Sequence, residues 1–337
     1  MASVTLFIIM VISIASMIMP NVAESTGELY WKLKLGNTAM PKIVKDAIIG
    51  SDKNTKIVLK NMIKKGFTVS EELEKSIRKD AEIVEYLFHF EITDQQKQSI
   101  IKLNQESNFE NGNSAIDLTR HSVYFVENDL TRPGKTLKLN FMKVEDDAKF
   151  IPTEVDESIP FTSTKFPEIL SIFSLKPNST SAEIMEETIK ACETKAMSDE
   201  MKFCATTLEK MVDYVTSNVG NQNVTTFEGH VDENVQNVHK IVDAKKVRSN
   251  KSMVCHKMGY PYSVFYCHNL QQTNLYEISM VDPKGTKVNA VGVCHKDTSS
   301  WSRQHISFQI LKVAPGSPVC HFLNERSIAF VSKSEIM

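Results

Sequence analysis

Four Cys-His dipeptides crowd the last third of the chain: Cys255-His256, Cys267-His268, Cys294-His295 and Cys320-His321. Ten, twenty-five and twenty-four residues separate them. The chain holds only six cysteines and nine histidines, so four adjacent pairs in so short a stretch do not arise by chance. Along extended backbone, neighbouring side chains point to opposite faces. Each pair on a strand therefore sends its sulfur one way and its imidazole the other, and the two do not chelate one ion together. The simplest arrangement cross-links the cysteines on one side and gathers the histidines on the other. Oxidised sulfur is a poor ligand, because the thiolate is what binds metal. His256, His268, His295 and His321 remain as the metal set, and imidazole suits copper, zinc or nickel. Copper(II) tops the stability series, so an all-nitrogen site favours it. The competing reading is four buried histidines packed against disulfides with no ion.

Other chemistries find less support. A zinc finger needs a short Cys pair that these spacings lack, and an oxidising compartment removes its thiolates. A Cys-His nucleophile fails because an adjacent pair on a strand cannot set imidazole against its own neighbour's sulfur. The chain lacks G-x-S-x-G, H-E-x-x-H, a P-loop and a dinucleotide fingerprint. A net charge of -2 over 337 residues predicts no strong attraction to nucleic acid. The one compact basic group, Lys245, Lys246 and Arg248, reads as a solvated loop.

The compartment is predicted by the N-terminus and the cysteines together. Val4 to Met19 is apolar, uncharged and too short for a membrane span, and Ala23 offers a cleavage point. Residues 1–23 are expected to be a secretory signal peptide, with no membrane span in the mature chain. Six cysteines in a secreted chain imply disulfides. Asn178, Asn223 and Asn250 stand in N-x-S/T sites for glycosylation.

Residues 24–120 read as a leader region with at least one helix. Thr68 and Glu71 form a capping box there, and Leu73, Ile77, Ala81, Val84 and Phe88 recur at helical spacing. The main domain is expected over 121–335. Ser122 to Val126 and Leu137 to Phe141 read as strands, and a helical hairpin follows. Its first helix is capped by Thr180 and Glu183 and carries Met185, Ile189 and Cys192 on one face. Its second carries Cys204, Leu208, Met211, Val212 and Val215, which predicts a Cys192–Cys204 disulfide. From Met253 onward strands dominate: 264–270, 275–281, 288–295, 306–313 and 328–331, with a turn at Asp282-Pro283-Lys284-Gly285. The fold class is α+β: a helical hairpin packed with a mainly antiparallel β-sheet, disulfide-stapled, after a helical N-terminal region. Cys255, Cys267, Cys294 and Cys320 allow three pairings, all left open.

The dipeptide spacing resembles the signature of the plant BURP domain. The resemblance extends through Tyr30-Trp31, Asn37 to Pro41, Asp129-Leu130, Pro133-Gly134 and Ser158 to Phe161. It continues through Cys192, Phe203 to Thr206, Gly259 to Tyr262 and Cys294 to Thr298. The build is similar to the seed-protein branch, which lacks long N-terminal repeats. The resemblance implies an extracellular, cell-wall or vacuolar protein of seed or reproductive development or of stress response. Family members include a non-catalytic cell-wall subunit of polygalacturonase, which makes a cell-wall polysaccharide a possible partner. Others are copper-dependent cyclases that join an aromatic side chain of a core peptide to the backbone. That role would make His256, His268, His295 and His321 copper ligands and a peptide the substrate. No repeated core peptide precedes the domain here; Trp31, Trp301, Tyr30, Tyr86 and Tyr124 are the aromatic candidates. A non-catalytic, metal-binding role is therefore placed first and the cyclase second.

Overall fold

The computed structural model describes residues 25–48, 77, 124–132, 134–138, 148–197, 200–229, 238–247, 249–270, 272–303 and 305–333. The expected signal peptide, the Thr68/Glu71 cap and Tyr86 lie outside them. Of the expected leader helix only Ile77, buried and helical, is described.

Two short helices come first, α1 (Thr26–Leu35) and α2 (Lys42–Ala47). A reciprocal cap starts α1: the Glu28 N–H donates to the Ser25 hydroxyl, and the Ser25 N–H donates to the Glu28 carboxylate. There follow β1 (Tyr124–Phe125), α3 (Glu127–Leu130), β2 (Thr136–Lys138), α4 (Thr153–Asp156), α5 (Phe166–Ile172) and α6 (Thr180–Glu193). Next come β3 (Glu200–Ala205), α7 (Leu208–Val219) and β4 (Val224–Glu228). The remainder is mostly strand: β5 (Val238–Val247), β6 (Ser249–Met258), β7 (Val264–Leu270), β8 (Thr273–Val281) and β9 (Lys287–His295). One helix, α8 (Ile306–Leu311), precedes β10 (Val319–Phe322) and β11 (Ser327–Lys333).

The strands form two sheets with antiparallel pairing throughout. Their orders are β1-β10-β9-β8-β5-β2 and β3-β7-β6-β11-β4. Val254, Ala329 and Val331 of the second sheet meet Leu275, Val291 and Val293 of the first in a shared core. On the outer face of the second sheet, α7 buries Leu208, Met211, Val212, Val215 and Val219, a stripe at helical spacing. Each such side chain contributes about 1.5–3 kcal/mol by leaving water. Trp31 of α1 joins the same cluster, and its indole N–H donates to the Thr38 carbonyl at 2.8 Å. The inner face of the second sheet is covered further along by α5 and α6, where Ile169, Met185 and Ile189 pack on Met258, Tyr260 and Tyr266.

The mixed α and antiparallel β character matches expectation, but the helical hairpin does not appear. Cys204 lies on β3, not on a helix. The Thr207 hydroxyl accepts from the Lys210 N–H and so starts α7 at Leu208. The apolar stripe of α7 runs on in register to Cys204, and periodicity alone extended the helix across that cap. The cap of α6 likewise sits on Ser179, whose hydroxyl accepts from the Ala182 N–H, and not on Thr180. The expected strand at 306–313 is helix α8, capped by the His305 ring, which accepts from the Ser307 N–H. Lys245 and Lys246 stand exposed on β5 and not in a loop. The turn at 282–285 joins β8 to β9 as expected: the Asp282 carboxylate accepts from the Lys284 and Thr286 N–H groups, and Gly285 takes φ 86°.

Candidate metal centre

The dipeptides fall on four strands, paired two by two. Cys255 of β6 lies directly opposite Cys267 of β7, and Cys294 of β9 opposite Cys320 of β10. Disulfides join both pairs, with Cα atoms 3.9 and 4.0 Å apart. A third joins Cys192 of α6 to Cys204 of β3, as expected. The strand pleat does to the dipeptides what alternation requires. Cys255 and Cys267 are buried in the outer cluster against α7, and Cys294 and Cys320 in the cluster with Phe125 and Phe322. The four histidines face the other way, into the space between the sheets.

One narrow cleft is lined by all four imidazoles, with half-buried Ser252, Asn269 and Thr273 beside them. Within it the rings form two dyads. His256 and His268 sit diagonally across β6 and β7, with Nε2 atoms 3.3 Å apart and ring centroids 5.3 Å apart. His295 and His321 sit diagonally across β9 and β10, again with Nε2 atoms 3.3 Å apart, stacked at 5.4 Å. The ring centroids of His256 and His321 are 6.4 Å apart and link the dyads. Among the described residues, no group of three or more His, Cys, Asp or Glu side chains is arranged to hold a metal ion as it stands.

Every Nδ1 has an outward partner. His268 Nδ1 meets Glu200 Oε1 at 3.1 Å, His256 Nδ1 meets Ser327 Oγ at 2.8 Å, and His321 Nδ1 meets the Phe322 carbonyl at 3.3 Å. His295 Nδ1 lies 3.4 Å from Thr273 Oγ1. A carbonyl accepts only, so His321 carries its proton on Nδ1 and a lone pair on Nε2. The Ser327 hydroxyl donates to Asn324 Oδ1 at 2.8 Å, an oxygen identified by the Arg326 N–H that also donates to it. Ser327 Oγ is therefore the acceptor toward His256, whose proton is again on Nδ1.

Burial, reinforced by the neighbouring imidazoles, holds His256 and His295 well below the usual imidazole range. Burial brings His321 and the nearby His305 down to about 4. Neutral rings with bare Nε2 atoms are the form that binds metals. The same depression predicts an acid limit. Below pH 6.5 the unfolded chain takes up protons that the folded chain refuses. The stability these groups confer is thus full above 6.5 and is lost as the pH falls through about 4. His321 and His305 each contribute on the order of 3 kcal/mol to that loss. Urea midpoints of the metal-free protein should fall steadily between pH 6.5 and 4, and His305→Gln should shallow the slope. A flat profile in both proteins would contradict the burial of neutral imidazoles.

Sequence reasoning named Trp301 and Tyr124 only as aromatic candidates and missed His305, Glu127 and Glu200 around the dyads. Trp301 packs edge-on against His295 at 5.1 Å and lies 4.7 Å from His305. Tyr124 lies 6.4 Å from His321. Glu127 accepts from Asn274 at 2.8 Å and from the Tyr276 hydroxyl at 2.6 Å, and it pairs with Lys296. Burial would raise its pKa, but these partners bring it down to about 2. Glu127 thus ties the chain beside Thr273 to the chain beside His295. No local pattern marks Glu127 or Glu200, because Glu127 on α3 meets residues of β8 far along the chain and Glu200 meets Tyr266 and His268 across the pairing of β3 with β7. The aromatic candidates are packing residues: Trp31, Trp301 and Tyr124 are buried, and the Tyr30 hydroxyl donates to Asp213. Asn178 and Asn223 are exposed at turns with φ 64° and 55°, and Asn250 falls within β6.

A sequence profile of the BURP domain matches residues 123–332, a span that includes all four dipeptides. The chain belongs to the BURP-domain family. It is 41% identical over 220 residues to BURP domain protein RD22 of Arabidopsis thaliana, which covers 63% of this chain and 56% of the relative. It is 39% identical over 216 residues to BURP domain-containing protein 3 of Oryza sativa subsp. japonica, covering 62% and 50%. With BURP domain-containing protein BNM2C of Brassica napus, identity is 33% over 256 residues, covering 71% and 88%. The chain therefore spans about half the length of the first two of these BURP-domain relatives. Among the described residues no helix is long and apolar enough to cross a membrane.

Proposed function

We propose that this BURP-domain protein is a non-catalytic, copper-binding protein of the plant secretory route, working in the cell wall or vacuole in development or stress response. What supports the metal is the first dyad, where the two Nε2 atoms face one another at 3.3 Å, and with both protons on Nδ1 both would be acceptors. Two acceptors at that distance are stabilised by a cation between them. Two imidazole nitrogens each about 2.0–2.1 Å from one ion lie about 2.9 Å apart at a right angle and about 3.3 Å apart at the tetrahedral angle, so the dyad needs little movement to grip an ion in either geometry. His256 and His268 would hold the ion, with His295 and His321 lining the same cleft as further donors. Three disulfides support the compartment, since such bonds persist where thiols are oxidised. Exposed Asn178 and Asn223, with Asn250, are the sites where sugar is expected.

A second reading, a copper-dependent peptide cyclase, is favoured by the half-buried polar side of the cleft, through which a peptide would reach the histidines. Bound copper would supply the oxidising chemistry; the chain would supply four imidazoles and a walled entrance. Metal analysis together with intact mass on the natively purified protein separates the readings. The first expects stoichiometric copper and a mass explained by sequence, sugars and three disulfides. A further loss of two hydrogens, on the chain or on an added peptide under copper and oxygen, would move the assignment to the cyclase. A chain that neither retains nor rebinds copper overturns both.

A further inference from the structure

The two dyads look alike in spacing but differ in what fixes their protons. In the second, the His295 Nδ1 meets the Thr273 hydroxyl at 3.4 Å, and a hydroxyl both donates and accepts. His295 can therefore carry its proton on Nε2 and donate it to His321, which makes the pair an ordinary hydrogen bond. The first dyad has no such freedom. Ser327 and Asn324 fix His256 as described, and His268 is fixed by a carboxylate.

That carboxylate belongs to Glu200, at the first position of the edge strand β3. Lys202 pairs with His268, so Glu200, two residues earlier, shares the face of His268 one rung along. Its side chain is 4% exposed. Oε1 accepts from the Tyr266 hydroxyl at 2.8 Å and lies 3.1 Å from His268 Nδ1, and Oε2 accepts from the Met197 N–H at 3.2 Å. Both carboxylate oxygens are thus already acceptors, so the proton shared with His268 sits on the imidazole.

We propose that Glu200 is a positioning residue: it keeps the His268 proton on Nδ1 and turns the Nε2 lone pair toward His256, which makes this dyad the first to take a cation. The inference rests on the metal-binding reading for its consequence, but the proton's location is a property of the metal-free protein. Carboxylates that orient a ligating histidine through its other nitrogen raise its basicity and fix its ring. Glu200 does so from a strand that contributes no ligand of its own.

The test uses Glu200→Gln and Tyr266→Phe in the full chain. Side-chain 15N shifts of His268 in the metal-free protein report which nitrogen is protonated, and calorimetric titration with cupric ion reports affinity. The wild type should show His268 protonated on Nδ1. A glutamine amide can donate to Nδ1 as well as accept from it, so E200Q should populate the Nε2–H form. It should also weaken cupric binding roughly 10- to 100-fold. Tyr266→Phe removes one partner of the carboxylate but not the carboxylate, and should keep the wild-type tautomer. His268 protonated on Nε2 in the wild type would overturn the proposal, as would E200Q with unchanged shifts and affinity. If the wild type binds no cupric ion but E200Q still moves the proton, the positioning role stands and the metal reading falls.

Discussion

Replacing His256 with alanine should weaken cupric binding by more than the roughly 100-fold ceiling typical of losing an outer partner, because it removes a donor itself. His268→Ala should do the same, while His295→Ala and His321→Ala should weaken binding less steeply. The ranking follows from the protons. Ser327 and Glu200 set the His256 and His268 lone pairs toward one point, whereas His295 can carry its proton on Nε2 and would then have to give up its hydrogen bond to His321. None of the four changes touches a disulfide or a strand register, so each variant should be produced at near wild-type yield. Calorimetry or equilibrium dialysis with copper, beside yield and melting temperature, checks both halves. Normal copper stoichiometry in all four variants would show that these imidazoles are not the ligands.

The site was legible because alternation along a strand is a geometric necessity that needs no knowledge of the fold. Cys255 and His256 had to diverge once they lay in β6, and the same holds for the other three pairs. What sequence could not supply was the partner of each strand. The motif cysteines left three pairings open, and only the register that sets Cys255 against Cys267 and Cys294 against Cys320 decides between them. It also splits the expected single sulfur layer into two clusters, one on the outer face of each sheet, with the nitrogen cluster between. Periodicity misled where it ran through a boundary, as at Cys204, where a threonine cap separates strand from helix. Ile306 to Val313 failed for a related reason: a histidine cap overrode a run of apolar residues. Glu200 carries no local signature, since its role depends on Lys202 pairing with His268 across the sheet.

Removing the three disulfides one at a time should separate stability from metal binding. In the chain-entropy account, each bridge closes a loop of 12 or 26 residues, and its loss costs about 3 kcal/mol. For a domain of this size that corresponds to a melting temperature lower by about 10 °C. Cys192→Ala with Cys204→Ala should show that loss alone, because this bridge ties α6 to β3 and bears on no histidine register directly. Cys255→Ala with Cys267→Ala should show the same loss together with weakened copper binding. The bridge clamps directly opposed residues whose next neighbours along the strands are His256 and His268, so releasing it frees the spacing of their Nε2 atoms. Cys294→Ala with Cys320→Ala should behave likewise through His295 and His321. Alanine is chosen because a serine hydroxyl would bury a polar group in the apolar clusters around each bridge. Differential scanning calorimetry and cupric titration of the three double variants make the comparison. Equal copper affinity in all three would mean that the strands hold the histidines without help from sulfur, and the cysteine beside each histidine would then serve stability alone.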